Sequence, residues 1–108
     1  MKTLPVLIAL LISFFCSAQQ QPLTLDTIYA NDQKNVALFF PSPIRQGITG
    51  SENFVFTYNR EKQQYFGLLQ AKPGIESNLL VFSSTGSIFS YIICYKKELN
   101  KLTYFINE

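Results

Sequence analysis

Apolar and polar side chains alternate with a period of two through most of the chain that follows Gln21. The clearest case is residues 54–58, where three aromatic side chains would share one face of a strand and Val55 and Thr57 would occupy the other. No window has the 3.6-residue apolar spacing of an amphipathic helix. The alternation therefore predicts an all-β chain.

Turn-forming residues divide this alternating sequence into short segments. The main interruptions are Asn31-Asp32-Gln33-Lys34, Pro41-Ser42-Pro43 and Lys72-Pro73-Gly74. Residues 78–95 read as a hairpin, because Gly86 supplies the positive φ that a tight loop between two strands needs. About seven short strands, with turns roughly 8–12 residues apart, predict a small antiparallel β-sandwich. We assign it to residues 19–108 as a single domain.

Residues 1–18 have the layout of a secretory signal peptide. Lys2 gives a positive start, residues 4–15 are almost wholly apolar, and Cys16-Ser17-Ala18 is a small-residue exit. The apolar stretch is shorter than the roughly 20 residues that span a bilayer. We expect cleavage after Ala18 and export to the periplasm or the outer membrane, with no membrane span. Lipidation of Cys16 is the alternative, although a bulky aromatic residue precedes it.

The mature chain would be small, aromatic and nearly neutral. Eight phenylalanines and six tyrosines would remain after cleavage, and each can bury about 150–250 Å² in a core. Loss of Lys2 would leave eight basic and seven acidic residues with no basic cluster. This balance argues against nucleic acid as a direct partner.

The residue inventory argues against an enzyme. The chain has no histidine, which removes the commonest general base and a frequent metal ligand. Ser83, Ser84 and Ser87 are expected to be turn residues, although a Ser–Lys pair with Lys72 or Lys96 stays open. We expect no catalysis, no cofactor and no metal site.

One cysteine, Cys94, would remain after cleavage, so no internal disulfide is expected. The apolar run around Cys94 favours a buried thiol, and the nearby Lys96 and Lys97 keep a reactive thiol as the alternative. In the same strand Ile88, Ile92 and Cys94 would face one way, and the aromatic residues and Ile93 the other. With two apolar faces, the strand is either central in its sheet or covered on one face by a partner.

Three stretches of this chain occur in the order found in a known family. They are Ile28-Tyr29-Ala30-Asn31, Phe39-Phe40-Pro41-Ser42-Pro43-Ile44 and the hairpin from Asn78 to Tyr95. In this order the chain resembles the TraN-type conjugal transfer proteins of conjugative transposons, which are themselves similar to the periplasmic ring subunit of type IV secretion channels. The likeness covers residues 25–95 and only the N-terminal domain, because family members are longer and carry a second domain.

The resemblance implies an exported structural subunit of a conjugative DNA-transfer apparatus. Such a subunit would bind other envelope proteins of the apparatus, with self-association into a homo-oligomer as a further option. It would contact the channel and not the DNA.

The residues proposed to contact a partner come from two segments. The segment from Thr24 to Ala30 is short, terminal and followed by a polar turn, so it is the expected edge strand for strand addition by a partner. The residues around the two prolines are expected to form an apolar anchor, with Phe39 left to the core. The contact residues are Leu25, Ile28, Tyr29, Phe40, Pro41, Pro43 and Ile44.

Two other functions stay open. An exported ligand-binding or adhesive β-sandwich could use Tyr58, Tyr65 and Tyr104 as a stacking surface. The chain could also be a truncated, non-functional remnant of a longer transfer protein.

Overall fold

The computed structural model describes residues 26–107 as a sandwich of two four-stranded sheets. The strands in chain order are β1 Thr27–Ala30, β2 Val36–Phe39, β3 Ile44–Thr49, β4 Phe54–Thr57, β5 Phe66–Ala71, β6 Ser77–Ser83, β7 Ile88–Tyr95 and β8 Thr103–Phe105. The all-β sandwich is thus confirmed, with eight strands where about seven were expected. The expected signal peptide and its cleavage site lie outside the described residues.

Both sheets are mixed, whereas a purely antiparallel sandwich was expected. The first sheet has the order β1-β7-β6-β3 and the second the order β4-β5-β2-β8. The parallel pairs are β1 with β7 and β2 with β8, and all other pairs are antiparallel. The first and last strands of the described residues, β1 and β8, each add to a sheet edge alongside a strand distant in sequence. Local hairpin patterns do not reveal such pairings.

The hairpin of residues 78–95 is confirmed. Strands β6 and β7 pair antiparallel with Leu80 opposite Ser90, and Gly86 has a φ of 92° in the connecting turn. Strand β7 is central, between β1 and β6. Phe89 and Ile93 face the interior while Ile88 is exposed, as the alternation predicted.

The core lies between the sheets and is filled by the inward residues of seven strands. Its wholly enclosed side chains include Ile28, Leu38, Ile44, Leu69, Leu79 and Ile93. One aromatic ring joins the two layers: Phe56 occupies space that a Cβ atom would fill at both Gly47 of the first sheet and Gly67 of the second. The absence of side chains at these two glycines leaves room for the ring between the sheets.

Charge is almost wholly excluded from the strands. Within the eight strands of the described residues, Arg45 is the only charged residue. It lies where the β3–β6 register shifts between Ile44 and Gln46. The outward strand residues of both sheets are therefore uncharged with this one exception, although the Lys96 ammonium nitrogen, just after β7, lies 5.2 Å from the ring centroid of the outward Tyr29.

Candidate protein-contact site

Strand β1 forms one edge of the first sheet, as expected. The backbone N–H groups of Ile92 and Lys96 donate to the carbonyls of Asp26 and Ala30, both at 3.0 Å. In a parallel pair, alternate residues of a strand point their N–H and C=O groups at the partner strand. The backbone groups of Thr27 and Tyr29 consequently point away from β7. The N–H of Tyr29 is 3.4 Å from the hydroxyl of Tyr104 on β8, in the other sheet.

A groove of about 380 Å³ follows this edge, between β1 and the segment that contains β8. Asp26 and Lys101 contribute opposite charges to its lining, and Tyr91 and Tyr104 contribute aromatic rings. Burial, and secondarily the negative charge of Asp26, raise the pKa of Tyr91. The phenol is therefore neutral at physiological pH and contributes a hydroxyl group to the groove.

The proline segment is the corner at which the chain passes from the second sheet to the first. The N–H of Phe40 donates to the carbonyl of Tyr65 at 2.7 Å, and that of Ile44 to the carbonyl of Gln64 at 2.9 Å. The ring of Phe40 packs edge-on against Phe89, with centroids 5.3 Å apart. These contacts join the corner to the core.

The expected roles of Phe39 and Phe40 are exchanged. Val36 and Leu38 face inward, so alternation turns Phe39 to the outer side of the second sheet, where it is half-buried. Phe40 follows the end of β2 and turns inward, which leaves it 4% exposed. Phe40 is therefore a core residue, and Phe39 is the residue near the surface.

The seven expected contact residues fall into three groups. Leu25 lies outside the described residues. Ile28, Phe40 and Ile44 are buried in the core, so their side chains offer no surface to a partner in this fold. Tyr29 and Pro41 are exposed and Pro43 is half-buried, and a contact role for these three stays a prediction.

A row of three phenylalanines crosses the outer side of the second sheet. Phe66, Phe39 and Phe105 lie side by side on β5, β2 and β8. The ring of Phe39 is 5.6 Å from that of Phe66 and 5.4 Å from that of Phe105. Phe66 is 39% exposed and Phe105 is 74% exposed. We call Phe66, Phe39 and Phe105 the phenylalanine row.

The surroundings of the phenylalanine row are also apolar or uncharged. The other outward residues of the second sheet are Ala37, Val55, Thr57, Leu68, Gln70 and Thr103. Sequence reasoning missed Phe66 and Phe105 as surface residues. Alternation from the buried Leu69 would have placed Phe66 outward, but only the strand order brings the three rings together.

The three tyrosines expected to form a stacking surface do not share an environment. Tyr58 packs against Phe56 and lies under Arg60, whose guanidinium carbon is 4.8 Å from the ring centroid. Tyr104 lies under Lys101, with the ammonium nitrogen 4.4 Å from its ring centroid. Tyr65 is 54% exposed just before β5. If the protein binds a ligand by stacking, the phenylalanine row is the better surface.

The serines near the hairpin turn make local hydrogen bonds. The Ser83 hydroxyl lies 2.9 Å from that of Thr85 and accepts a hydrogen bond from the Ser87 N–H. Ser84 donates its N–H to the carbonyl of Pro43 at 2.9 Å, which links the turn to the proline corner. These hydrogen bonds stabilise the turn and connect it to the proline corner.

Cys94 is half-buried on the outer side of β7. Burial, and then the charge of Glu76, raise the pKa of its thiol.

Among residues 26–107 no three acidic, cysteine or histidine side chains cluster in a way that could hold a metal ion. Those residues also contain no helix that could span a membrane.

Comparison with known proteins gives no family for this chain. No protein-family model matches it, and no curated protein matches it. The resemblance to TraN-type proteins stays a prediction that rests on the quoted stretches alone.

Proposed function

We propose that this chain is an exported, non-catalytic assembly subunit that works by binding other proteins. The observation that carries the proposal is the phenylalanine row, set in a sheet surface with no charged residue. These rings are exposed to water in the chain alone. A protein partner that covers them would gain the favourable free energy of removing their apolar surface from water. Aromatic residues are also enriched in the buried centres of interfaces.

The apparatus we propose is an envelope complex for conjugative DNA transfer. The support for this part is the resemblance to TraN-type proteins, together with the leader-like residues 1–18 and the near-neutral charge. A neutral domain suits contact with protein components of a channel better than contact with DNA.

A second contact is strand addition along β1. Thr27 and Tyr29 direct backbone groups away from β7, and the groove leaves space beside them. An extended segment of a partner could bond to these groups and continue the first sheet. Its backbone would displace the long contact between Tyr29 and the Tyr104 hydroxyl.

The test of the phenylalanine row is co-purification of the full chain from a host that carries its neighbouring genes, where the proposal expects a complex with envelope transfer proteins. Replacing Phe105 and Phe66 by Ser should weaken the complex by about 100-fold or more, because hot-spot aromatics each contribute roughly 2 kcal/mol or more. Val55→Ser is the matched control, since Val55 is 54% exposed on the same sheet but on the opposite edge strand. A complex unchanged by the double variant would refute the proposal. A lone monomer would favour the remnant.

Strand addition has its own test. Thr27→Pro removes an N–H that points away from β7 and leaves the bonds of Ile28 and Ala30 in place, whereas Thr27→Val keeps that N–H. Only the proline variant should lose partner capture, measured by the same co-purification. Equal capture by the two variants would exclude strand addition at β1. Deletion of residues 22–30 is unsuitable as a test, because it would remove the buried Ile28 and Ala30.

A further inference from the structure

The first half of β7 has an open edge. Strand β7 has eight residues and β1 only four, so β1 pairs with residues 92–95 alone. Residues 88–91 have no strand beside them on that side among the described residues. On the other side, β6 pairs with β7 along the whole of this stretch. The opening is therefore confined to one side of one half of a strand.

The backbone groups of two residues point out of this open edge. Where β1 is present, the N–H of Ile92 donates to the carbonyl of Asp26 at 3.0 Å. Because backbone direction alternates along a strand, the N–H and C=O groups of Ser90 and Ile88 point to the same side as those of Ile92. No hydrogen bond joins them to another of the residues 26–107. Such groups can pair with an extended chain that reaches them.

A cavity of about 420 Å³ lies along this open edge. Its lining includes Ile88, Phe89, Ser90, Tyr91 and Asn107. Tyr91 and Asn107 also line the groove beside β1, so the two spaces adjoin. The fold thus leaves room for an extended segment next to the unpaired backbone groups, in line with β1.

We propose that residues 22–25 of the same chain pair with this edge and continue β1 parallel to β7. They directly precede Asp26, whose carbonyl already bonds to Ile92. A segment attached at this point has a high effective concentration at the edge, which a separate chain lacks. Its pairing would shield β7 from other chains. The inference goes beyond the proposed function, which concerns the outer edge of β1 and the other sheet.

The register of β1 with β7 determines what each added side chain would contact. Thr27 lies opposite Ile92, so continued pairing places Leu23 opposite Ile88. Both would lie on the outer side of the first sheet, where Ile88 is 62% exposed. Leu25 would lie on the same side, because alternate residues of a strand share a face. The segment therefore brings apolar side chains to the side on which the edge itself is apolar.

The hydrogen bonds of the added residues also fit. By the pattern of the existing β1–β7 pair, the N–H of Ser90 would donate to the carbonyl of Thr24, and the N–H of Ile88 to the carbonyl of Pro22. The N–H of Thr24 would donate to the carbonyl of Ile88. Pro22 contributes only its carbonyl at this position, so its missing N–H costs no hydrogen bond.

The test is amide hydrogen exchange, measured by NMR on the full chain exported with its own leader. The N–H groups of Ser90 and Ile88 should be protected. Thr24→Pro should speed their exchange by about tenfold or more, because it removes at least one hydrogen bond of the added pair. Thr24→Val keeps the N–H and is the matched control, which should leave exchange unchanged. The N–H of Lys96, bonded to Ala30, should stay protected in both variants.

A second readout is direct contact between side chains. Nuclear Overhauser effects should join the methyl groups of Leu23 and Ile88, because neighbouring strands lie only about 4.8 Å apart. Sedimentation equilibrium of the same sample should show a monomer, since the pairing is within one chain. Thermal unfolding of the proline variant checks that the rest of the domain is folded.

Four results would overturn the proposal. They are rapid exchange of Ser90 and Ile88 in the full chain, protection that Thr24→Pro leaves unchanged, protection that rises with protein concentration, and a purified chain whose mass shows that Pro22 has been removed. The third result would mean that a segment of another copy fills the edge. None of them depends on Phe105 or Thr27, so the proposed function stands or falls separately.

Discussion

Leucine and phenylalanine lie on both the inner and the outer side of this sandwich, yet only the inner side is covered. Leu69 and Leu68 are neighbours on β5, and the first is wholly buried while the second is half-exposed on the outer side. Phe56 and Phe39 show the same contrast on β4 and β2. Leucine and phenylalanine therefore do not by themselves mark the core here, whereas polar strand residues such as Thr57 and Gln70 are exposed on the outer side. The inner residues are explained by the fold, and the outer ones call for an explanation outside it.

The largest effect is expected when the two leucines, Leu69 and Leu68, are replaced one at a time. Leu69→Ala should lower the free energy of unfolding by about 2–5 kcal/mol, because it removes buried methyl groups and leaves a cavity. Leu68→Ala should cost about 1 kcal/mol, since its side chain is only partly removed from water. Urea unfolding followed by circular dichroism measures both. Equal losses would mean that the outer side of the second sheet is covered within the folded chain.

A smaller effect is expected where the two layers meet at Phe56. Gly67→Ala should destabilise the fold by about 1–3 kcal/mol, because the new methyl group occupies the space of the Phe56 ring. The same substitution in a Phe56→Leu background should cost less, and the double-mutant cycle measures the difference. Additive losses in that cycle would show that the ring and the glycine are not coupled.

The smallest effect concerns Cys94 on the outer side, and it is read as a pH profile. Because burial and then Glu76 raise the thiol pKa, the midpoint of the alkylation rate against pH should lie above the ordinary value of about 8.5. Glu76→Gln should lower that midpoint by removing a negative charge that disfavours the thiolate, and Glu52→Gln should not. If the alkylation rate of the folded chain depends on pH in the same way as that of the urea-unfolded chain, this face does not shield the thiol.

The same pKa shift determines how Cys94 changes the stability of the fold with pH. The folded chain holds the thiol proton more tightly than the unfolded chain, so this contribution to stability is present below the ordinary thiol pKa. It is lost as pH rises through the folded value.

Sequence reasoning was strongest where a strand's own residues carry the information. The sequence predicted correctly which residues of β7 face the interior, because the inward Phe89 and Ile93 alternate with the outward Ile88 and Ile92 along one strand. The edge position of β1 was also predicted. It was weakest at strand ends, where Phe40 leaves the alternation of β2 and turns into the core.

The sequence by itself determined that the chain is made of short strands, and which residues of each strand share a side, because alternation is a local property of the backbone. Only the tertiary structure decided that β1 runs parallel to β7 and β2 parallel to β8. It also assembled Phe66, Phe39 and Phe105 into one row. These pairings join residues far apart in the chain, and a strand's own sequence does not specify which distant strand completes its hydrogen bonds.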